Sequence, residues 1–175
     1  MNHLERVRAQ YRKRDSVKLL ETVQSVAKEI GLDAALALLE QCVTEKRLAW
    51  LDAHPEAIAR TGHPLLDGYR AFYEVYLGLA PGDGEIVEVT GSRLVCRWWN
   101  PCPTLEACQR LGLDTRTVCR QAYHRPVDAF LSRIDPDLRF ERDYETIRPH
   151  APYCQEIILF ENPVKTAPSA ARSTP

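Results

Sequence analysis

The sequence predicts an α+β fold: N-terminal helices followed by two antiparallel β-hairpins forming one sheet, with a helical insert between them. Three observations carry that reading. Apolar residues recur at helical spacing from Val17 to about Leu77. The breaker Pro81-Gly82-Asp83-Gly84 follows, and beyond it the apolar period shortens from about 3.6 to about 2. The strand-like runs then come in two local pairs separated by helical sequence, which favours hairpins over a doubly wound sheet. No Gly-rich phosphate loop follows a strand, which argues against a nucleotide-binding enzyme.

The 175 residues fit a single α+β domain over 1–160, with a helical part at 1–80 and a cysteine-containing sheet and helix part at 85–160. That length buries a sizeable core without cross-links. A net charge of −1 gives no bulk attraction to nucleic acid or to an anionic membrane. No apolar run approaches the length of a membrane span. The start, Met1-Asn2-His3-Leu4-Glu5-Arg6, has no apolar core and no cleavage site. Cytoplasmic localisation with reduced thiols is therefore expected, not a disulfide framework. The expected partner is a small-molecule ligand or substrate, and a homodimer is compatible with the composition.

The elements follow in order. Arg6, Arg8, Arg12, Lys13 and Arg14 make residues 3–14 basic, and with Glu5 and Asp15 flanking them they read as a solvated helix face. Asp15-Ser16 is an N-cap for a helix carrying Val17, Leu20, Val23, Ala27 and Ile30, closed by Gly31. Asp33 caps the next helix, whose stripe is Leu36, Leu39, Val43 and Trp50, and the pair forms a helical hairpin. A third helix spans about Leu65 to Leu77. Leu65, Tyr69, Phe72, Tyr73 and Tyr76 share its face and read as core, with ligand-facing tyrosines as the alternative.

Glu85–Thr90 and Arg93–Trp99 read as strands around the turn Gly91-Ser92. In the second strand Leu94, Cys96 and Trp98 share one face, and Val95, Arg97 and Trp99 the other. Asn100-Pro101-Cys102-Pro103 ends it. A short helix follows over Thr104–Leu111, closed by Gly112. Asp114 or Thr115 caps a longer one with Val118, Ala122, Val127, Phe130, Leu131 and Ile134 as its apolar set, and Pro126 is expected to kink it. Leu138–Ile147 and Tyr153–Phe160 form the second hairpin. Residues 161–175, rich in Pro, Ala, Ser and Thr, are expected to be disordered.

Five of the six cysteines lie in the second half: Cys96, Cys102, Cys108, Cys119 and Cys154. Cys102 opens a helix, Cys119 lies inside the next, and Cys154 opens the last strand. Thiols with an imidazole and a carboxylate nearby bind metals or do nucleophilic chemistry. The candidate catalytic residues are Cys102, Cys119, His124 as base and Asp128 as its orienter. His124 and Asp128, four apart, share a helix face. Cys119 and His124, five apart, lie about 140° apart around a regular helix, so pairing them requires an irregularity near Pro126. Arg97, Trp99, Arg142 and Tyr123 are candidates for holding substrate. Cys102, Cys119 and Cys154 are candidate ligands should a metal bind. The cofactor is open: the cysteine count permits a metal ion or an iron–sulfur cluster, but no Cys-x-x-Cys announces one. Cys102 has the helix-start setting, where backbone N–H groups and the helix dipole favour an anion. The bland alternatives are buried structural cysteines, above all Cys42 and Cys96, and an ordinary surface His–Asp pair.

Trp99-Asn100-Pro101-Cys102-Pro103, Cys119 in a helix, Leu138-Arg139-Phe140-Glu141-Arg142 with Thr146-Ile147, and Cys154 opening the last strand together resemble the L-2-amino-thiazoline-4-carboxylic acid hydrolase family. The resemblance covers about residues 15–160 and is sharpest over 99–160. More distantly the layout is similar to 4-vinyl reductase domains and to trafficking-complex subunits. It implies the same order of helices, hairpin, helical insert and final hairpin. It also implies hydrolytic opening of a thiazoline ring to a carbamoyl-cysteine, with Cys102, Cys119 and Cys154 as the signature positions. Two positions depart from the family pattern: His150-Ala151-Pro152 stands where Gly then Asp is typical, and Gln121-Ala122-Tyr123 follows Cys119 where an Asp is usual. Two expectations result. One is a hydrolase acting on a C–N bond of a small cyclic amidine or thiazoline. The other is a non-enzymatic sensor or accessory domain of the 4-vinyl reductase-like type that binds a small molecule, a tetrapyrrole or a metal or iron–sulfur centre.

Overall fold

The N-terminal helices begin where the sequence supplies caps. Asn2 and Glu5 form a reciprocal capping box at the start of α1 (His3–Tyr11). The Asp15 carboxylate accepts the Lys18 N–H at the start of α2 (Ser16–Ile30). Gly31, at φ 87°, turns the chain directly into α3 (Leu32–Ala53), a conformation that disfavours any side chain. Leu20, Val23 and Val26 of α2 meet Leu36, Leu39 and Val43 of α3, with Val7 of α1 between them, in one apolar cluster. The basic face of α1 remains exposed and pairs with its neighbours, Arg6 with Glu29 at 2.7 Å and Arg8 with Glu45 at 2.8 Å.

The computed structural model describes residues 1–162 of this chain. Its architecture is α+β, with one four-stranded antiparallel sheet in the order β1-β2-β4-β3. The strands are β1 (Gly84–Val89), β2 (Arg93–Trp98), β3 (Leu138–Asp143) and β4 (Cys154–Phe160). The two hairpins join through β2 and β4, so the first hairpin's second strand is paired on both sides. Cross-strand neighbours stack their side chains on one face. Leu94 and Phe140 flank Ile158, Cys96 and Arg142 flank Glu156, and Trp98 stands opposite Cys154. The third strand, expected to run to Ile147, stops at Asp143. There the Asp143 carboxylate accepts the N–H groups of Glu145 and Thr146 and turns the chain.

Helices cover this face. α4 (Pro64–Tyr69) runs into a π turn over Arg70–Tyr76, where a regular helix was expected, and Leu77 N–H bonds to Phe72 five residues back. α5 (Pro103–Leu111) and α6 (Thr115–Val118) lead into a second π turn, Cys119–Tyr123, and then α7 (His124–Ile134). The expected kink at Pro126 takes this form. Proline lacks the N–H and crowds the carbonyl four residues back, here Ala122, and a widened turn just upstream relieves both. Val127, Phe130 and Leu131 of α7 pack with Tyr69, Phe72, Leu138 and Phe140 in the second apolar cluster. β1 is one of the two edge strands, and from Glu85 to Val89 its residues are exposed. Gly84 must lack a side chain because a Cβ there would run into Trp98 and the Arg97 carbonyl. No helix of the described residues is long and apolar enough to cross a membrane. Of the segment expected to be disordered, Glu161 and Asn162 bond to Asp137, and the rest lies outside the described residues.

Phe130 of α7 is fully buried, its ring against Trp50 of α3 and Phe72 and Tyr76 of the first π turn. Phe130→Ala is expected to cost about 3–5 kcal/mol in urea unfolding. Val89→Thr on the exposed edge strand is expected to stay within about 0.5 kcal/mol. Equal losses in the two variants would contradict this layering.

Candidate functional site

The site grows from a charge on the core face of β4. Alternation along Cys154–Phe160 turns Glu156 inward, where it is 6% exposed. Burying a carboxylate requires partners. Arg142, its neighbour in register on β3, donates Nε to Glu156 Oε1 at 2.9 Å and Nη2 to the same oxygen. The Tyr73 hydroxyl, from the first π turn, donates to Oε2 at 2.6 Å. Burial pushes the Tyr73 phenol well above its usual value, and Cys96 and then Glu156 add to the effect, so the hydroxyl keeps its proton. Burial acts to discharge Arg142, but the Glu156 carboxylate outweighs it and holds the guanidinium charged. Cys96 lies beneath this cluster, fully buried, with the Trp98 indole N–H 3.2 Å from its sulfur.

Beside the cluster lies a cavity of about 430 Å³. Cys102, Cys119 and Cys154 all line it, each delivered by a different element. Cys102 is the N-cap residue of α5, and its side chain makes no capping bond. Cys119 opens the second π turn, and Cys154 opens β4 opposite Trp98. Burial pushes the Cys119 thiol up to about 12, against the opposing pull of Arg142, so Cys119 is a neutral thiol near pH 7. Phe72, Tyr73, Trp98 and Tyr123 supply aromatic wall.

Three guanidinium groups line the same cavity: Arg47 from α3, Arg142 from β3 and Arg148 from the β3–β4 loop. Arg148 Nη1 donates to the Asn100 carbonyl at 2.8 Å, which ties that loop to the segment before α5. Yet Arg142 Nη1, Arg148 Nε, and Arg47 Nε and Nη1 are buried with no hydrogen-bond partner among the described residues. A buried donor left open costs about 1–3 kcal/mol.

Several expected site residues lie elsewhere. His124 Nδ1 is 3.0 Å from the Tyr144 hydroxyl, and His124 lines no part of this cavity. Asp128 does not hold the imidazole: its carboxylate accepts the Phe140 backbone N–H at 2.8 Å, fastening α7 to β3. The helix irregularity needed to align Cys119 with His124 is present, but the imidazole turns towards the β3–β4 loop. Arg97 stacks over Tyr153 at 4.5 Å and donates to Gln155. Trp99 is exposed and donates its indole N–H to the Gly82 carbonyl. Strand alternation puts both on the face opposite Trp98, away from the cavity. Of the four expected substrate-holding residues, Arg142 and Tyr123 line it. All six cysteines are free thiols. No three His, Cys, Asp or Glu side chains among the described residues are grouped to hold a metal ion, so Cys102, Cys119 and Cys154 share a cavity without forming a ligand set.

Arg47, Glu156 and Arg148 were missed by the sequence reading. Arg47 follows Val43 by four and precedes Trp50 by three, so a charge occupies the apolar stripe of α3. Glu156 alternates with Cys154 and Ile158, so a charge occupies the apolar face of β4. Both were visible as breaks in a pattern. Arg148 sits in a loop and gave no such signal. No protein-family model, curated protein or solved structure matches this chain.

Two outcomes follow for stability. Glu156→Gln strands the buried Arg142 charge and is expected to cost about 3–5 kcal/mol, much of it recovered in the double variant Glu156→Gln/Arg142→Met. Urea unfolding measures both, and no recovery in the double variant would contradict the pairing. For His124, burial and the Arg142 charge lower the folded-state pKa. The unfolded chain, near about 6.5, then binds the proton more readily. Its contribution to stability is present above about pH 6.5 and is lost as pH falls towards the folded pKa. His124→Gln should flatten that part of the stability–pH curve, and an unchanged slope would contradict the assignment.

Proposed function

We propose that this protein takes a small carboxylated ring compound of the cyclic amidine or thiazoline type into the first cavity and hydrolyses a C–N bond in it with a cysteine thiol. The observation that carries the reading is that Cys102, at the start of α5, shares a cavity with three guanidinium groups, each holding a buried donor with no partner among the described residues. Arginine forks match carboxylates. Arg142 and Arg148 hold the carboxylate, the aromatic wall holds the ring, and Cys102 meets the amidine carbon. Cys119, kept neutral by burial, packs against the substrate and does not attack it.

The reaction runs in two steps. The Cys102 thiolate bonds to the amidine carbon as its C=N bond opens onto the ring nitrogen. The exocyclic nitrogen then forms the C=N bond as the ring C–N bond breaks, and the ring nitrogen leaves as an amine with one proton from the exocyclic nitrogen and one from solvent. Water bonds to the same carbon, giving one proton to the exocyclic nitrogen and one to solvent, and the bond to Cys102 breaks to return the thiolate and leave a carbamoyl group. The sequence resemblance supports this chemistry independently of the cavity.

Binding without turnover, as in a sensor or accessory protein, is the second reading. It is favoured by the placement of His124 and Asp128 outside the cavity, which leaves no histidine in its wall among the described residues.

Turnover and binding of 2-aminothiazoline-4-carboxylate separate the two. Cys102→Ser is expected to lower turnover more than about a hundredfold while binding persists, and Cys42→Ser, buried in the other apolar cluster, is expected to leave turnover intact. Full turnover in Cys102→Ser would overturn the nucleophile. Binding without turnover in the wild-type protein would establish the second reading, and no binding would overturn both.

A further inference from the structure

A second cavity, of about 480 Å³, lies on the other side of Arg47. It shares Arg47, Leu77, Pro103, Thr104 and Tyr123 with the first cavity, and its remaining wall comes from α1, α2, α3 and the first π turn. Its charge is one-sided. Arg14, Lys46 and Arg47 line it, and none of the three forms an ion pair among the described residues. The one acid in the wall, Asp15, pairs with Lys18 at 3.7 Å.

Arg47 is 8% exposed, stacked at 5.1 Å on the Phe72 ring, and two of its nitrogens have no acceptor among the described residues. Lys46 Nζ stands 4.8 Å over the Tyr11 ring. Burial lowers the Lys46 pKa, and the nearby Arg14 charge adds to the effect. Arg14 itself is held at φ 57°, a left-handed conformation that L residues avoid, at the junction of α1 and α2. Strain of this kind collects at ligand sites.

We propose that this second cavity binds the phosphate group of a small phosphomonoester. Three cations without an ion-pair partner among the described residues, one of them with buried open donors, match a dianion better than a carboxylate. Tyr11, Trp50, Tyr76 and Tyr123 in the same wall supply apolar surface for the body of the molecule. The site adjoins the thiol cavity across Arg47 and Tyr123, and its occupancy does not require chemistry there.

Calorimetric titration at about 0.01 M ionic strength, where charges are least screened, tests the proposal with inorganic phosphate, phenyl phosphate and acetate. Phenyl phosphate is expected to bind at least tenfold more tightly than inorganic phosphate, and acetate more weakly than either. Lys46→Met and Arg14→Gly should each weaken phenyl phosphate at least tenfold. Both positions are exposed, and glycine suits the Arg14 backbone, so both variants should fold. Equal binding of inorganic and phenyl phosphate would overturn the phosphomonoester. Acetate binding as tightly as phenyl phosphate would overturn the dianion. Unchanged binding in both variants, or no binding at all, would overturn the site.

Discussion

The register of β4 between β2 and β3 fixes almost everything else in the molecule. Cys154, Glu156 and Ile158 face the helices only because Trp98, Cys96 and Leu94 stand opposite them on one side, with Arg142 and Phe140 on the other. A slip of one residue would turn all three outward and carry Gln155 and Ile157 into the core. Turn geometry does not set the β2–β4 half of this register, because β2 and β4 belong to different hairpins. Side-chain chemistry sets it: Ile158 needs the apolar rung, and Glu156 needs Arg142 and Tyr73. The same ion cluster that punishes a slip also forms one wall of the cavity.

The helices depart from regularity where they meet that cavity. One π turn carries Tyr73 and the other carries Cys119 and Tyr123. A π turn inserts extra width into a helix and re-aims its side chains, and such turns are frequent at functional sites. The second has a local cause in Pro126. We find no comparable sequence cause for the first, which lies over Arg70–Tyr76. Its effect is to send Phe72 and Tyr73 to the sheet side together, one into the apolar cluster and one to the Glu156 carboxylate.

Much of the fold was legible because the signals were local. Asp15, Gly31, Gly112 and the Pro81–Gly84 breaker stand at the boundaries they announce. The alternation of β2 was also legible, and it already placed Trp98 and Trp99 on opposite faces. Naming Arg97 and Trp99 as substrate contacts overlooked that parity. The His124–Asp128 pair shows a different limit. Helix spacing brings two side chains to one face, but it does not reveal the competing partner. The Phe140 N–H on β3, twelve residues along the chain from Asp128, claims the carboxylate. Arg47 and Glu156 were legible in principle. Each is a charge in an apolar pattern, and such a charge asks for a partner that only the tertiary structure can name.

The central proposal is that the open donors of Arg142 and Arg148 receive a carboxylate. Nitrogen-resolved NMR of the arginine Nε–H groups tests it most directly, during titration with 2-aminothiazoline-4-carboxylate. The account requires a saturable shift at Arg148 Nε–H, whose donor is buried and unfilled, with no comparable shift at exposed Arg133, already paired with Asp52. An unmoved Arg148 signal at saturation, or movement confined to exposed arginines, would contradict it.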